Sequence, residues 1–343
     1  MTRTVLTKAA RLSVAPMMDW TDRHCRMLHR TLSREALLYT EMVTARAVIH
    51  GDRERLLGFS PPEQPLALQL GGSDPADLAQ AAKIGADWGY GEINLNCGCP
   101  SDRVQSGTFG AVLMKHPGLV AECVGAMAAG CDAQITVKCR IGVDDQKPAQ
   151  VLPDFIAAMA EAGVTRLTIH ARKAWLKGLS PKQNRSVPPL DYGLVMQMKR
   201  DFPSLHISLN GGVENLSDAA ALLAGGLDGV MVGRTAYHNP AAILGAADGV
   251  IWGGFSAEGN AQLGQHSAAA VEAMLPYIEA HLGTQGARLH QITRHMLGLF
   301  SGLPGARSWR RILSEEAGRP GAGTDVVQKA LAAVSDAALQ AAD

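Results

Sequence analysis

Eight short apolar runs in this chain end on residues whose side chains bind or transform ligands. In order, these ends are Pro16-Met17-Met18-Asp19, Glu41-Met42, Gln69, Asn94 and Asn96 with the loop Cys97-Gly98-Cys99-Pro100, Lys138 with Arg140, His170 with Arg172, Asn210-Gly211-Gly212, and Gly233-Arg234. Packing does not explain so many polar termini. A lysine or arginine at the end of a buried strand needs a partner, and a bound ligand can be that partner.

The last two ends together suit a phosphate. Glycines let the backbone approach closely, amide N–H groups at a helix start face an anion, and Arg234 adds a bidentate clamp. Lys138 could be a Schiff-base nucleophile or a fixed cation beside an electron-rich ring. His170 could donate to a cofactor ring or be a core histidine, and Gln69 could bond the edge of a heterocycle. The loop at 96–101 is the most distinctive piece. Its C-x-C spacing has no second cysteine or histidine pair nearby, so no metal is expected. Cys99 precedes a proline on a loop after a strand, where a thiol can face the site as nucleophile or general acid. The sequence places no histidine to activate a thiolate, and a free thiol is mostly protonated at neutral pH, so the acid role is the expected one. Cys25, Cys123, Cys131 and Cys139 are isolated and read as small buried hydrophobes.

Strand candidates position these ends: Leu12–Ala15, Leu37–Thr40, Leu66–Leu70, Glu92–Asn96, Gln134–Lys138, Arg166–His170, His206–Asn210 and Gly229–Val232. Stretches with helical spacing lie between them, such as Asp74–Ile84, Pro117–Ala129, Leu152–Ala162, Asp191–Asp201 and Asn215–Ala224. Alternation of this kind implies parallel strands. Eight such units match an α/β (β/α)8 TIM barrel, with a doubly wound sheet as the alternative, and barrels commonly bind phosphate after strands seven and eight. Past Ile243 the rhythm changes. The expected organisation is a catalytic barrel over residues 1–245, a Gly- and Ala-rich linker over 246–262 and a C-terminal all-α helical domain over 263–343, with helical segments Ser267–Leu282, Arg288–Phe300, Ser308–Ala317 and Asp325–Ala341.

With 47% hydrophobic and 19% charged residues in 343, the chain has material for a core and too little charge for disorder. No apolar run reaches the ~18 residues of a membrane span, so no membrane partner is expected. The N-terminus lacks an apolar signal core, which points to a cytoplasmic location. Six cysteines in a chain of this size are not a disulfide framework. The net charge is zero, which alone argues against a nucleic-acid binder. The distribution argues otherwise. No acid lies between Ala162 and Leu190, which hold Arg166, Arg172, Lys173, Lys177, Lys182 and Arg185, nor between Arg288 and Ser314, which hold Arg288, Arg294, Arg307, Arg310 and Arg311.

The motifs A-P-M-M-D-W-T-D at 15–22, L-Q-L-G-G at 68–72, N-C-G-C-P-S at 96–101, V-K-C-R-I-G at 137–142, I-H-A-R at 169–172, N-G-G at 210–212 and V-G-R at 232–234 resemble the flavin-dependent tRNA-dihydrouridine synthases. The segments at 170–185 and 305–311 resemble the DusA branch of that family. The resemblance runs from about Ser13 to Leu313. It implies FMN held by Pro16, Met17, Met18, Gln69, Lys138, His170, Asn210, Gly211, Gly212, Gly233 and Arg234, with NADPH or NADH as reductant. It implies hydride transfer to C6 of a flipped D-loop uracil, at uridines 20 and 20a, and a proton from Cys99 to C5. Asn96, Lys182, Arg185, Arg307 and Arg310 take tRNA-contact positions. The chain is expected to act as a monomer. Cys97 departs from the family's apolar residue there and is expected to point away and be inert. The competing readings are a flavin barrel acting on a free pyrimidine, a Lys138 Schiff-base aldolase and a non-catalytic RNA-binding barrel.

Overall fold

The computed structural model describes residues 2–101, 109–253, 260–284 and 286–340. Along the chain run α1 (Arg3–Ala9), β1 (Leu12–Val14), α2 (Arg23–Leu32), β2 (Leu38–Thr44), α3 (Ala45–His50), α4 (Arg53–Leu57), β3 (Leu66–Gly71), α5 (Pro75–Asp87), β4 (Glu92–Cys97), α6 (Pro117–Gly130), β5 (Gln134–Arg140), α7 (Pro148–Glu161), β6 (Arg166–His170), α8 (Tyr192–Asp201), β7 (His206–Asn210), α9 (Leu216–Ala224), β8 (Gly229–Val232) and α10 (Arg234–His238). All strand pairs are parallel, in the order β1-β8-β7-β6-β5-β4-β3-β2. The ring closes where Ser13 bridges Leu37, with Val14 N donating to Leu37 O at 3.0 Å and Leu37 N to Leu12 O at 3.0 Å. The fold is the expected TIM barrel, not a doubly wound sheet.

Period-two alternation sorts each strand into two faces. Leu68 and Leu70, Ile93, Leu95 and Cys97, Val137 and Cys139, Leu167 and Ile169 join the core shared with the surrounding helices. The residues between them are polar and point inward: Gln69, Asn94, Asn96, Thr136, Lys138, Arg140, Thr168 and His170. Below them Leu6, Ala9 and Ala10 pack with Leu37, Tyr39, Ala67 and Met231 to fill the barrel's floor. Helix starts follow local chemistry: Asp74 accepts from Asp77 N ahead of Pro75, and Asn215 accepts from Asp218 N.

Beyond the barrel lie α11 (Asn260–Leu282), α12 (Leu289–Thr293), α13 (Ala306–Glu316) and α14 (Thr324–Gln340). Trp309 centres this bundle, fully buried, with Nε1 donating to Met296 O at 2.9 Å and its ring against Phe300. Asp22 fastens the bundle to the barrel: it accepts from Arg294 Nη2 at 2.6 Å and pairs with His295 Nε2 at 3.0 Å while capping α2. Thus Arg294, part of the second acid-free stretch, is held by Asp22.

Three features differ from the sequence reading. Residues 246–253, read as linker, pack on the barrel. Asp248 accepts from Ser33 Oγ at 2.5 Å and Arg34 N at 2.8 Å, Ile251 is buried, and Trp252 Nε1 donates to Lys8 O at 3.0 Å. Residues 254–259 of that stretch lie outside the described residues. The expected helix Arg288–Phe300 is helical only over Leu289–Thr293, and Gly298 backs against His238 O where a Cβ would come within 2.4 Å. Helix α2 was not read at all.

Candidate active site

The inward polar residues join into one directed chain. Asn96 Oδ1 accepts from Gly98 N at 3.0 Å and Cys99 N at 2.9 Å. Asn96 Nδ2 donates to Gln69 Oε1 at 2.8 Å, and Gln69 Nε2 donates to Asn94 Oδ1 at 2.9 Å. Asn94 Nδ2 donates to Thr136 Oγ1 at 2.8 Å, and Thr136 donates to Glu92 Oε1 at 2.6 Å. Glu92 also accepts from Tyr39 Oη at 2.8 Å and pairs with Arg166, whose Nη1 donates to Leu6 O at 3.0 Å. Every link donates toward the buried carboxylate, so each bond polarises the next. Register makes this possible: Gln69 lies beside Asn94, and Asn96 beside Lys138. Asn96, expected at a tRNA contact, is buried and spends both ends of its amide on the protein.

The chain ends at the loop that carries the two cysteines. Cys97, outward on β4, is fully buried next to Cys139, and burial pushes its thiol well above the usual range. Cys99, two residues on, is half-buried on the mouth loop, its Sγ 3.6 Å from Ser101 Oγ and its carbonyl accepting from Ala111 N. Both thiols are free.

Cations surround Cys99. Arg140 is buried; its Nε donates to Gly98 O at 3.1 Å, and its Nη1 to Lys173 O at 3.1 Å and Asn184 O at 2.8 Å. Burial lowers Arg140 to about 10 and Lys138 to about 8, with Arg140 repelling Lys138. His170 is pushed well below its ordinary value by burial and by Arg140, Lys138, Arg172 and Arg185, so it is a neutral imidazole, and its Nδ1 is buried without a partner. Arg172 donates to Pro188 O, but its Nε is likewise buried and unpartnered. Among the described residues no carboxylate pairs with any of these groups. Such a cluster is costly unless an anion or an electron-rich ligand completes it.

The glycine loops lie beside it. Gly211 (φ +104°) faces His170, whose Cε1 would be 3.0 Å from an added Cβ. At Gly212 (φ +76°) a Cβ would stand 2.4 Å from Leu190 Cδ1. Tyr192 Oη donates to Gly211 O at 2.7 Å, and Asn210 Nδ2 to Met231 O at 2.8 Å. Gly233 caps α10, and Arg234, exposed, reaches Arg185 O at 3.5 Å. Pro16 and Met17 are half-buried at the mouth end of β1, Met18 is exposed, and Met17 Sδ would lie 3.8 Å from a Cβ on Gly233. Lys182 and Arg185 are exposed on the loop after β6. Arg307 and Arg310 are exposed on α13, whose Trp309 is buried.

Arg140, a strand end that the sequence pairs with Lys138, joins the site through Gly98 O, and two further contributors lie outside the strand ends. Glu92 and Tyr192 were not legible, since only register and loop geometry reveal their partners. Among the described residues no group of three or more His, Cys, Asp or Glu could hold a metal ion, and no helix is long and apolar enough to cross a membrane.

Comparison with known proteins places the fold and the family. A solved structure titled an old yellow enzyme homologue from Zymomonas mobilis aligns with a TM-score of 0.50 at 13% identity, over 67% of this chain and 86% of that one, a likeness of fold alone. Proteins named tRNA-dihydrouridine(20/20a) synthase are 56% identical in Vibrio cholerae (96% of this chain, 98% of that one), Xanthomonas axonopodis pv. citri (94% and 93%) and Escherichia coli (96% and 96%). The family profile described as Dihydrouridine synthase (Dus) matches residues 13–337, and the chain belongs to that family.

Proposed function

We propose that this protein is a tRNA-dihydrouridine synthase that reduces the C5=C6 bond of D-loop uridines 20 and 20a, the positions in its relatives' names, with FMN as cofactor and NADPH or NADH as reductant. The observation that carries the reading is the mouth itself. A tethered, accessible thiol stands among cations and an orphaned imidazole that await an anionic, electron-rich partner.

The residues fit FMN. Gly211, Gly212, Gly233 and Arg234 would hold its phosphate. Lys138, His170 and Gln69 would meet the polar atoms of its ring, with Pro16, Met17, Met18 and Asn210 completing the seat. When bound and reduced, FMN supplies hydride for C6 of a uracil.

The chain's own groups do the rest. As C6 gains hydride, negative charge develops toward C5 and O4. The Cys99 S–H gives its proton to C5, and the sulfur keeps the electron pair as a thiolate. Lys138, Arg140 and Arg185 all lie within electrostatic reach of Cys99 and offset that charge. A proton from water restores the thiol. The target base leaves its stack to reach the mouth. Lys182, Arg185, Arg307 and Arg310 would follow the tRNA backbone, and Asn96, buried at the mouth, would meet the base only through the loop it holds.

The test is incubation of the flavin-loaded protein and NADPH with unmodified tRNA, then nucleoside mass analysis. The expected product is a D-loop uridine heavier by two hydrogens. Reduction of a free pyrimidine with tRNA untouched would overturn the reading.

A further inference from the structure

Four large apolar side chains are exposed among the described residues: Val5, Met18, Trp175 and Val187. Val5 is on α1 at the barrel floor. The other three lie on loops that leave the C-terminal ends of β1 and β6, the mouth where Cys99 sits.

Trp175 differs from the other two in how firmly it is held. It lies in a segment, residues 171–191, that joins β6 to α8 with only one turn of 3-10 helix at Gln183–Arg185. Connections of this length with so little regular structure are usually functional. Asn184, fully buried, accepts from Trp175 N at 2.7 Å and donates to Trp175 O at 2.9 Å, gripping both sides of the residue. Arg140 donates to Lys173 O and Asn184 O. Ala174 N donates to Gly142 O at 2.9 Å, and Leu176 N to Asp144 Oδ1 at 2.8 Å. Four consecutive residues are therefore fixed to the barrel through buried or half-buried groups. Their combined effect is to fix the backbone that carries an indole 36% open to water.

Cations predominate around the ring, and the nearby carboxylate, Asp144, is paired with Lys115 at 2.6 Å. Lys173 Nζ lies 5.0 Å from the centroid of the Trp175 ring. Lys177, Lys182 and Arg185 are exposed on the same segment, and no acid occurs from residue 162 to 190. A rigid aromatic ring amid exposed cations is the combination that binds single-stranded nucleic acid: the ring stacks a base and the cations meet the phosphates. A preorganised ring also loses little freedom on binding.

We propose that Trp175 is a stacking platform for a nucleobase of the tRNA that flanks the target uridine, with Lys173 meeting that nucleotide's phosphate. This rests on the reading of the protein as a tRNA-reducing enzyme, and adds a site that holds the strand open beside the base being reduced.

The test compares wild-type protein with Trp175→Phe, Trp175→Leu and Lys173→Ala, each loaded with flavin. Flavin content and far-UV circular dichroism report folding. tRNA affinity is measured across salt, and a tRNA carrying 2-aminopurine next to the target uridine reports stacking by quenching. Trp175→Leu is expected to weaken binding by about 5- to 150-fold, the equivalent of one lost base–aromatic stack. It should abolish the 2-aminopurine quench and leave the salt slope unchanged. Trp175→Phe should keep the quench and bind within a few-fold of wild type. Lys173→Ala should reduce the salt slope by roughly 0.7 to 0.9. If Trp175→Leu binds and quenches like wild type while the wild-type enzyme still makes dihydrouridine, the platform is refuted and the functional reading stands. If wild type itself neither binds nor reduces tRNA, the functional reading fails and the platform with it. If Trp175→Leu misfolds, the Phe variant decides: loss of the quench in a folded, flavin-loaded Trp175→Phe overturns the proposal, and retention supports it.

Discussion

Replacing Asn96 with alanine separates a residue that positions the thiol from one that touches tRNA. Asn96 makes three hydrogen bonds: two accepted from Gly98 N and Cys99 N, and one donated to Gln69 Oε1. Each contributes about 1 kcal/mol net, so the whole-protein penalty is roughly 3 kcal/mol. The two bonds to the loop amount to about 2 kcal/mol. The equilibrium constant for holding Cys99 in place then falls about 30-fold, which is the upper bound on the loss of rate. The assay is single-turnover formation of dihydrouridine by pre-reduced, flavin-loaded Asn96→Ala at saturating tRNA, with tRNA affinity measured separately. The expected result is a rate reduced by up to about 30-fold, with flavin retained and affinity changed less than a few-fold. A wild-type rate at saturation together with a large loss of tRNA affinity would refute the tether and make Asn96 a direct tRNA contact.

Burial holds Lys138 down to about 8 from an ordinary 10.5. Between those values the unfolded chain binds more protons, so the ligand-free protein should gain stability as pH rises through that window and carry the whole penalty below it. Ligand-free Lys138→Met should lack this rise and be no less stable than wild type at neutral pH, while retaining less flavin; a wild-type urea midpoint that does not rise relative to the variant contradicts this. Gly212→Ala forces a side chain onto left-handed backbone and against Leu190, and that backbone alone costs roughly 1–2 kcal/mol. Flavin titration should therefore show about 5- to 30-fold weaker binding, and unchanged affinity would remove Gly212 from the phosphate cradle. Arg307→Ala and Arg310→Ala should each weaken tRNA binding and lower the salt slope by roughly 0.7 to 0.9, whereas an unaltered slope would place both side chains off the RNA.

The barrel was legible because its strands obey a simple period. Leu66, Leu68 and Leu70 alternate with Ala67 and Gln69, and Ile93, Leu95 and Cys97 with Asn94 and Asn96; six of the eight strands, all but β2 and β5, end within a residue of where the sequence places them. Helix α2 is hard to read because its buried face is mixed: Cys25, Leu28 and Leu32 share it with arginines and histidines. Arg26 is buried against Glu63 at 2.7 Å, Arg30 is buried donating to the carbonyls of Ser33, Ala36 and Pro65, and His29 is buried too. A helix that buries arginines through carbonyls dilutes the hydrophobic stripe by which it is read. The candidate site was legible as a set of strand ends but not as a circuit. Gln69, Asn94 and Asn96 were all visible, while the direction of their bonds and the terminus at Glu92 depend on register between neighbouring strands. Cys97 and Cys99 share the same parity and are separated by the end of β4: Cys97 is its last residue, on the outward face, and Cys99 lies on the loop beyond it.

The central claim is that the sulfur at position 99 supplies the proton that completes reduction of the base. The most direct measurement is Cys99→Ala, loaded with flavin and reduced beforehand, mixed with unmodified tRNA under single-turnover conditions while flavin absorbance and dihydrouridine are followed together. The variant is expected to fold, keep its flavin and bind tRNA, yet form little dihydrouridine. Dihydrouridine appearing at the wild-type rate from that variant would contradict it.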